Sequence, residues 1–224
     1  MNKYIFCFLT IMTMSNLVAR AQYLNDIQGK PYMEQSYTDV EGSPYLIANW
    51  ATGAVKLVNG KSITAKLKYD LIKDELLFQS KSDSAALSFV DPVQYFSFND
   101  VTMDESNIAP LVFGSGYPPV DNQTQASFYQ VIADGKVKLL KHYKKTIRVD
   151  KAFNSATSTQ TFVLADVYYV FINNQITRIK PSQKSILAAL GDKADQLQSY
   201  MRSNTVNYKS DAALAKLFSY YNSL

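Results

Sequence analysis

The sequence predicts an α+β fold in which an antiparallel β-sheet comes first and about three short helices close the chain. Turn-forming pairs such as Asn59-Gly60, Asp134-Gly135 and Asn173-Asn174 stand between runs of alternating apolar and polar residues. That is the pattern of hairpins with one buried face. The alternation extends from Pro44 to Lys180, and past Pro181 the apolar residues recur at three- and four-residue spacing instead. The order, strands and then helices, fits a meander, a sandwich or an open barrel with a helical layer added.

The elements follow in chain order. Residues 22–43 are polar and weakly patterned, an extended lead-in in which no element is predicted. In "AVKLVNGKSITAKLKY" Val55 and Leu57 alternate with Lys56, and Ile63, Ala65, Leu67 and Tyr69 alternate with Thr64, Lys66 and Lys68. Asn59-Gly60 between them accepts the positive φ angles of a type I′ turn. A turn near Lys73-Asp74 leads into "ELLFQS", and "AALSFV" follows after the polar "SKSDS". Asp91-Pro92 then punctuates before "VQYFSFND". Asp100 to Thr124 contains "FGSGYPPVDNQT", rich in Gly, Pro, Asn and Asp, and is read as a long surface loop. "SFYQVIADGKVKLLKHYKKTIRV" is a hairpin about Asp134-Gly135, and "VYYVFINNQITRIK" is another about Asn173-Asn174. Thus residues 44–180 are expected to form the β domain, with 181–224 as a helical segment packed on it.

Three helices are predicted in that segment. Ser182 caps "QKSILAAL", with Gly191 as its stop; Asp192 caps "KADQLQSYMRS", with Asn204 as its stop. Ser210 caps "DAALAKLFSYYN", where Leu214, Leu217, Phe218 and Tyr221 share a face. Each is shorter than the ~12–15 residues at which an isolated helix becomes marginal in water, so each must pack on the sheet or on its neighbours.

Residues 1–21 have the pattern of an export signal. Lys3 precedes a mostly apolar run from Tyr4 to Val18, and Ala19-Arg20-Ala21 offers a small-x-small cleavage site before Gln22. The run is interrupted by Thr10, Thr13, Ser15 and Asn16 and falls short of the ~20 apolar residues of a spanning helix. The expectation is an exported protein, periplasmic or extracellular, without a transmembrane span once the signal is removed. Cys7, the only cysteine, lies inside the apolar run rather than at the cleavage site, so a lipoprotein is not expected. The mature chain is long enough to bury a core without disulfides.

Charge is divided along the chain. Residues 22–134 hold 7 Lys/Arg against 14 Asp/Glu, whereas residues 135–224 hold 14 against 5. The small overall excess of positive charge argues against general nucleic-acid or membrane-surface binding. The asymmetry itself marks either an interaction surface or two halves that attract one another within one fold.

Few chemistries remain open. With a single histidine, His142, and no cysteine in the mature chain, Cys-His nucleophiles and Cys or multi-His zinc sites are excluded. There is no G-x-S-x-G elbow, no phosphate-binding G-x-x-x-x-G-K-[ST] loop and no G-x-G-x-x-G. No catalytic residue, metal or cofactor is assigned. Carboxylate chemistry needs only two acids across a cleft, and Asp70, Asp74, Glu75, Asp100, Asp104 and Glu105 are available, with no spacing that singles out a pair.

The most basic stretch is "GKVKLLKHYKK", Gly135 to Lys145. As a strand over 136–149, it places Val137, Leu139, Lys141, Tyr143, Lys145, Ile147 and Val149 on one face. Lys136, Lys138, Leu140, His142, Lys144, Thr146 and Arg148 fall on the other. Lys136, Lys138, His142, Lys144 and Arg148 are therefore the candidate anion-binding face. The plainer reading is a solvated strand face whose lysines discourage unwanted edge pairing, with His142 solvated on it.

Several pieces carry a resemblance: the signal, "GAVKLVNGKSITAKLKYDLIKDELLF", "FYQVIADGKVKLLKHYKK", "YYVFINNQITRIKPSQKSILAALGDK" and "LAKLFSYYNSL". Together they resemble a family of uncharacterised exported proteins of Bacteroidetes-type bacteria. The resemblance implies export and the strands-then-helices layout, and it transfers no activity. The function expected is a non-catalytic envelope protein that binds a partner protein, a glycan or a lipid. The alternative is a carboxylate-dependent hydrolase acting on envelope or dietary polysaccharide.

Overall fold

A computed structural model describes residues 28–35, 37–99, 101, 110–151 and 158–224, so the export signal and Asp100, Asp104 and Glu105 lie outside the described residues. The strands are β1 (Gly29–Pro31), β2 (Val40–Glu41), β3 (Ala51–Leu57), β4 (Ser62–Asp70), β5 (Glu75–Gln79) and β6 (Ala86–Phe89). They continue with β7 (Val93–Phe98), β8 (Leu111–Gly114), β9 (Tyr129–Ala133), β10 (Lys138–Asp150), β11 (Thr159–Ile172) and β12 (Gln175–Ile179). The helices α1 (Gln183–Ala189), α2 (Ala194–Asn204) and α3 (Asp211–Ser223) close the chain. The fold is α+β, as the sequence predicts.

The strands form one sheet in the order β1-β6-β5-β4-β3-β7-β8-β9-β10-β11-β12, with β2 added beside β11. Every pairing is antiparallel except β2 with β11, which is parallel. The two shortest strands lie within the lead-in, where no element is predicted. Each gains its hydrogen bonds from a strand far along the chain, which no local pattern can announce.

The turns fall where the sequence places them, but two differ in form. Four residues, Asp134 to Val137, connect β9 and β10, and of these Gly135 alone has positive φ, at 151°. Asn173 and Asn174 both have positive φ, at 50° and 60°, as a type I′ turn requires. At Asn59-Gly60 only Gly60 does, at 88°, and the Gly60 amide donates to the Leu57 carbonyl at 3.0 Å. The turn is therefore centred on Val58-Asn59 with Gly60 as a bulge, rather than type I′ on Asn-Gly. The segment predicted as a long loop also contains β8, a strand between β7 and β9. Its Leu111 and Phe113 are fully buried, but four residues between Pro110 and Ser115 are too few for alternation to be visible.

A row of buried side chains crosses the middle of this sheet. Val55, Phe96 and Phe113 stand opposite one another on β3, β7 and β8. Phe96 stacks on Phe113 at 4.7 Å, while Tyr69 and Phe128 meet Phe96 edge-on at 5.4 and 5.0 Å, an arrangement the ring quadrupoles favour. The sheet coils until the turn after β4 reaches β10, where the Lys145 amide donates to the Leu71 carbonyl at 3.2 Å. The Lys145 ammonium also donates to the carbonyls of Ser43 and Tyr45, at 2.8 and 2.6 Å. On the same face of β10 the helices cover Leu139 and Val170 with Ile186, Leu197, Leu214, Leu217 and Phe218. Ser182 and Ser210 cap α1 and α3 through their side chains. Asp192 does not cap α2, because a 3₁₀ turn over Gly191–Lys193 intervenes.

Candidate functional site

The basic strand places its residues by the predicted parity, but the two faces are covered differently. Lys136, Lys144 and Arg148 are exposed, and Lys138 is half-buried against an ion-pair partner, Asp134. Arg148 pairs with Asp150 at 2.7 Å. His142 is not solvated: it is 6% exposed. The segment between β8 and β9 folds across this end of the strand, burying Leu140 beside Tyr117, Tyr129 and Tyr169. His142 Nδ1 lies 3.0 Å from the Phe128 carbonyl oxygen, and its ring lies 5.4 Å from that of Tyr129. The five predicted residues therefore do not converge. His142 is a structural residue under a loop, and the remaining bases are spread along the strand.

The opposite face of β10 holds a group that the sequence reading does not single out. Lys141 is buried where the helix-covered core meets the aromatic core. Its ammonium lies 2.9 Å from an Asp166 carboxylate oxygen and 3.1 Å from Asp211, with the Tyr143 and Tyr168 rings 5.0 Å away on either hand. Tyr168 donates to Asp211 at 2.7 Å, and Tyr143 donates to Gln130 at 2.7 Å. Burial alone would lower the lysine's pKa, but Tyr143, Asp166 and Asp211 outweigh it and raise it above the ordinary value. Burial pushes the Tyr143 phenol up to about 12. Every member of this cluster has a partner within the fold, so it serves as a structural clamp. The signal in the sequence was a lysine at a position where the alternation calls for an apolar residue.

A cleft of about 510 Å³ opens at the other end of the sheet, between the turns after β3, β4 and β6 and the segment leading from β8 to β9. Leu76, Phe89, Val93 and Phe128 supply its apolar lining. Asp74, Glu75 and Asp91 stand in its wall, and among the described residues no lysine, arginine or histidine lines it. The walls are tied together. The Val58 amide donates to the Pro92 carbonyl at 2.9 Å, and the Asn59 side-chain amide donates to Asp91 at 3.1 Å. Ser115 Oγ donates to the Val93 carbonyl at 2.6 Å. Asp74, at a positive φ of 54°, accepts from the Tyr69 hydroxyl at 2.5 Å and the Phe128 amide at 3.4 Å. Those bonds hold the cleft's wall to the aromatic core. Glu75, and Asp91 beyond its bond from Asn59, are the acids of the wall not tied to the aromatic core.

The cleft's volume is within the ~300–1,000 Å³ of small-molecule sites, and an apolar lining with a few polar groups is their usual chemistry. Among the described residues no group of three or more His, Cys, Asp or Glu side chains is placed to hold a metal ion. No helix there is long and apolar enough to cross a membrane. A scan against protein-family models gives no match, and neither does a search of curated proteins or of solved structures.

Proposed function

We propose that the chain is an exported binding protein, non-catalytic, whose binding site is the cleft between Glu75 and Asp91. The observation that carries this reading is the combination in one concavity of an apolar lining with acids and, among the described residues, no base. A ligand suited to it presents hydrogen-bond donors or positive charge beside an apolar surface. Export rests on the signal-like residues 1–21 and on the resemblance to exported proteins. The test is native mass spectrometry of the protein purified from the envelope fraction, with Glu75→Gln and Asp91→Asn as cleft variants that preserve shape. Wild-type protein should retain a partner that the double variant loses. Identical retention by both would remove the cleft from consideration.

A second reading has an observation of its own. Asp74 is held by Tyr69 and Phe128, while Glu75 and Asp91, the latter with one oxygen bonded by Asn59, are two further carboxylates lining the cleft. Two such groups are the minimum for glycoside hydrolysis. Release of reducing ends from envelope or dietary polysaccharide, abolished by Glu75→Gln, would establish it. Absence of turnover across such substrates would remove it.

A further inference from the structure

Beyond Lys141 the β10–β11 hairpin leaves β9 behind and continues as a ribbon, from Lys144 opposite Ala165 to Asp150 opposite Thr159, with β2 beside β11 at Gln160 and Thr161. The seven residues from Lys144 to Asp150 reach about 23 Å at the rise of an extended strand. Ile147, Val149 and Leu164 share one face of it and are 38%, 60% and 45% exposed. Residues 144–151 carry Lys144, Lys145, Arg148 and Lys151 against Asp150 alone, and the β11 residues that pair with the ribbon, Thr159 to Ala165, carry no charge. The ribbon is thus apolar and basic. Lys145 ties its base to Leu71, Ser43 and Tyr45, and β2 flanks β11 near its tip, so the β10 edge from Thr146 onward is the side without a strand partner among the described residues.

The cleft has the opposite character. Its lips are Val58 and Val90, 63% and 53% exposed, and behind them stand Asp74, Glu75 and Asp91, with no base in the lining among the described residues. Five of the eight large hydrophobic residues that the described structure exposes belong to the cleft's lips or the ribbon. The two patches lie in the acidic and the basic halves of the chain, so the division of charge has a physical counterpart on the surface.

We propose that the ribbon of one copy seats in the cleft of a second copy, which makes the chain its own partner. The β10 edge would enter the cleft, with Ile147 and Val149 against Val58, Val90 and the apolar lining on one side of the strand and Lys144 and Arg148 turned to Glu75 and Asp91 on the other. The two patches differ, so the contact is heterologous and head-to-tail, generating a ring if the rotation closes and a filament if it does not. The inference rests on the cleft being a binding site.

Sedimentation of the protein purified after export tests both together. Association should grow with concentration and weaken as salt screens the charges. Val149→Asp, the ribbon pair Lys144→Glu/Arg148→Glu, and the cleft pair Glu75→Lys/Asp91→Lys should each leave a folded monomer by circular dichroism. Mixing the ribbon pair with the cleft pair should restore a one-to-one complex, because each retains the native patch that the other has lost. A wild-type chain that stays monomeric up to roughly 1 mM, the weak end of specific binding, overturns the proposal. So does association that the cleft pair abolishes and the ribbon variants leave intact, although the cleft would then stand as a binding site for another occupant. Self-association that no cleft variant disturbs, with no ligand retained, overturns both.

Discussion

The Lys141 ammonium lies 3.1 Å from the Asp211 carboxylate, and this contact joins β10 to the first turn of α3 across 70 residues of chain. Asp211 is 2% exposed. At a helix N-terminus its charge is favoured by the helix dipole as well as by the lysine. Lys141→Met strands the Asp211 carboxylate in the interior without a cation, which typically costs about 3–5 kcal/mol, and should lower the denaturant midpoint sharply. Asp211→Asn leaves Lys141 paired with Asp166 and should lower it less. The double variant should lose much less than the sum, since neither charge is then left alone. Additive losses in the cycle would show that the two residues are not coupled.

Asn222 should secure the end of the same helix. Its side-chain oxygen accepts from the Val137 amide at 2.9 Å, and its nitrogen donates to the Val137 carbonyl at 2.9 Å. Gly135 passes so close that a Cβ would fall 2.4 Å from the Asn222 amide nitrogen, which accounts for the glycine in this turn. Asn222→Ala leaves the two backbone groups of buried Val137 unpaired, at about 1–3 kcal/mol for each unsatisfied group. The thermal midpoint should fall accordingly. Gly135→Ala should fall as well, because the methyl group displaces Asn222.

The exposed bases should matter little to folding. Lys144 and Arg148 are on the solvent side of the ribbon, and substitutions at such positions usually change stability by no more than about 0.5 kcal/mol. Lys144→Glu and Arg148→Glu should leave the denaturation curve in place. His142, identical in its sequence parity, should behave differently. His142→Ala removes a buried ring and its contact to the Phe128 carbonyl, so the curve should shift to lower denaturant.

These contrasts show which parts of the structure are legible in the sequence. Alternation along 136–149 places Leu139, Tyr143 and Lys144 on their observed faces because strand period is a local property. It cannot say what covers each face. His142 and Lys144 have the same parity, and only the segment folded back from β8 separates a buried ring from a solvated amine. Lys141 breaks the alternation visibly, yet its partners Asp166 and Asp211 lie 25 and 70 residues away. The cleft is hidden for the same reason. Val58, Asp74, Asp91 and Gln125 each belong to a polar connection that reads as an ordinary turn, and sheet order alone gathers them.

Alkaline pH should unfold the chain through its buried phenols and Lys141. Burial, with Asp74 alongside, raises the Tyr69 phenol well above its ordinary value. Tyr168 is likewise raised by burial and by its bond to Asp211, and Tyr143 by burial. Lys141 is raised by its anionic and phenolic neighbours against the effect of its burial. For each of these groups the folded value exceeds the unfolded one, about 10 for Tyr and 10.4 for Lys. The native state then holds more protons than the unfolded chain above that pH, and stability falls as pH rises. Below about pH 10 these contributions are fully present. Lys145 opposes them, because burial lowers its value, and its contribution to stability rises with pH through the same region. One lysine is outnumbered by three tyrosines and Lys141, so the net slope is downward. Tyrosinate absorbance and circular dichroism followed together from neutral pH upward should show these phenols ionising only as the sheet unfolds. Ionisation of all tyrosines near pH 10 with the fold intact would contradict this account.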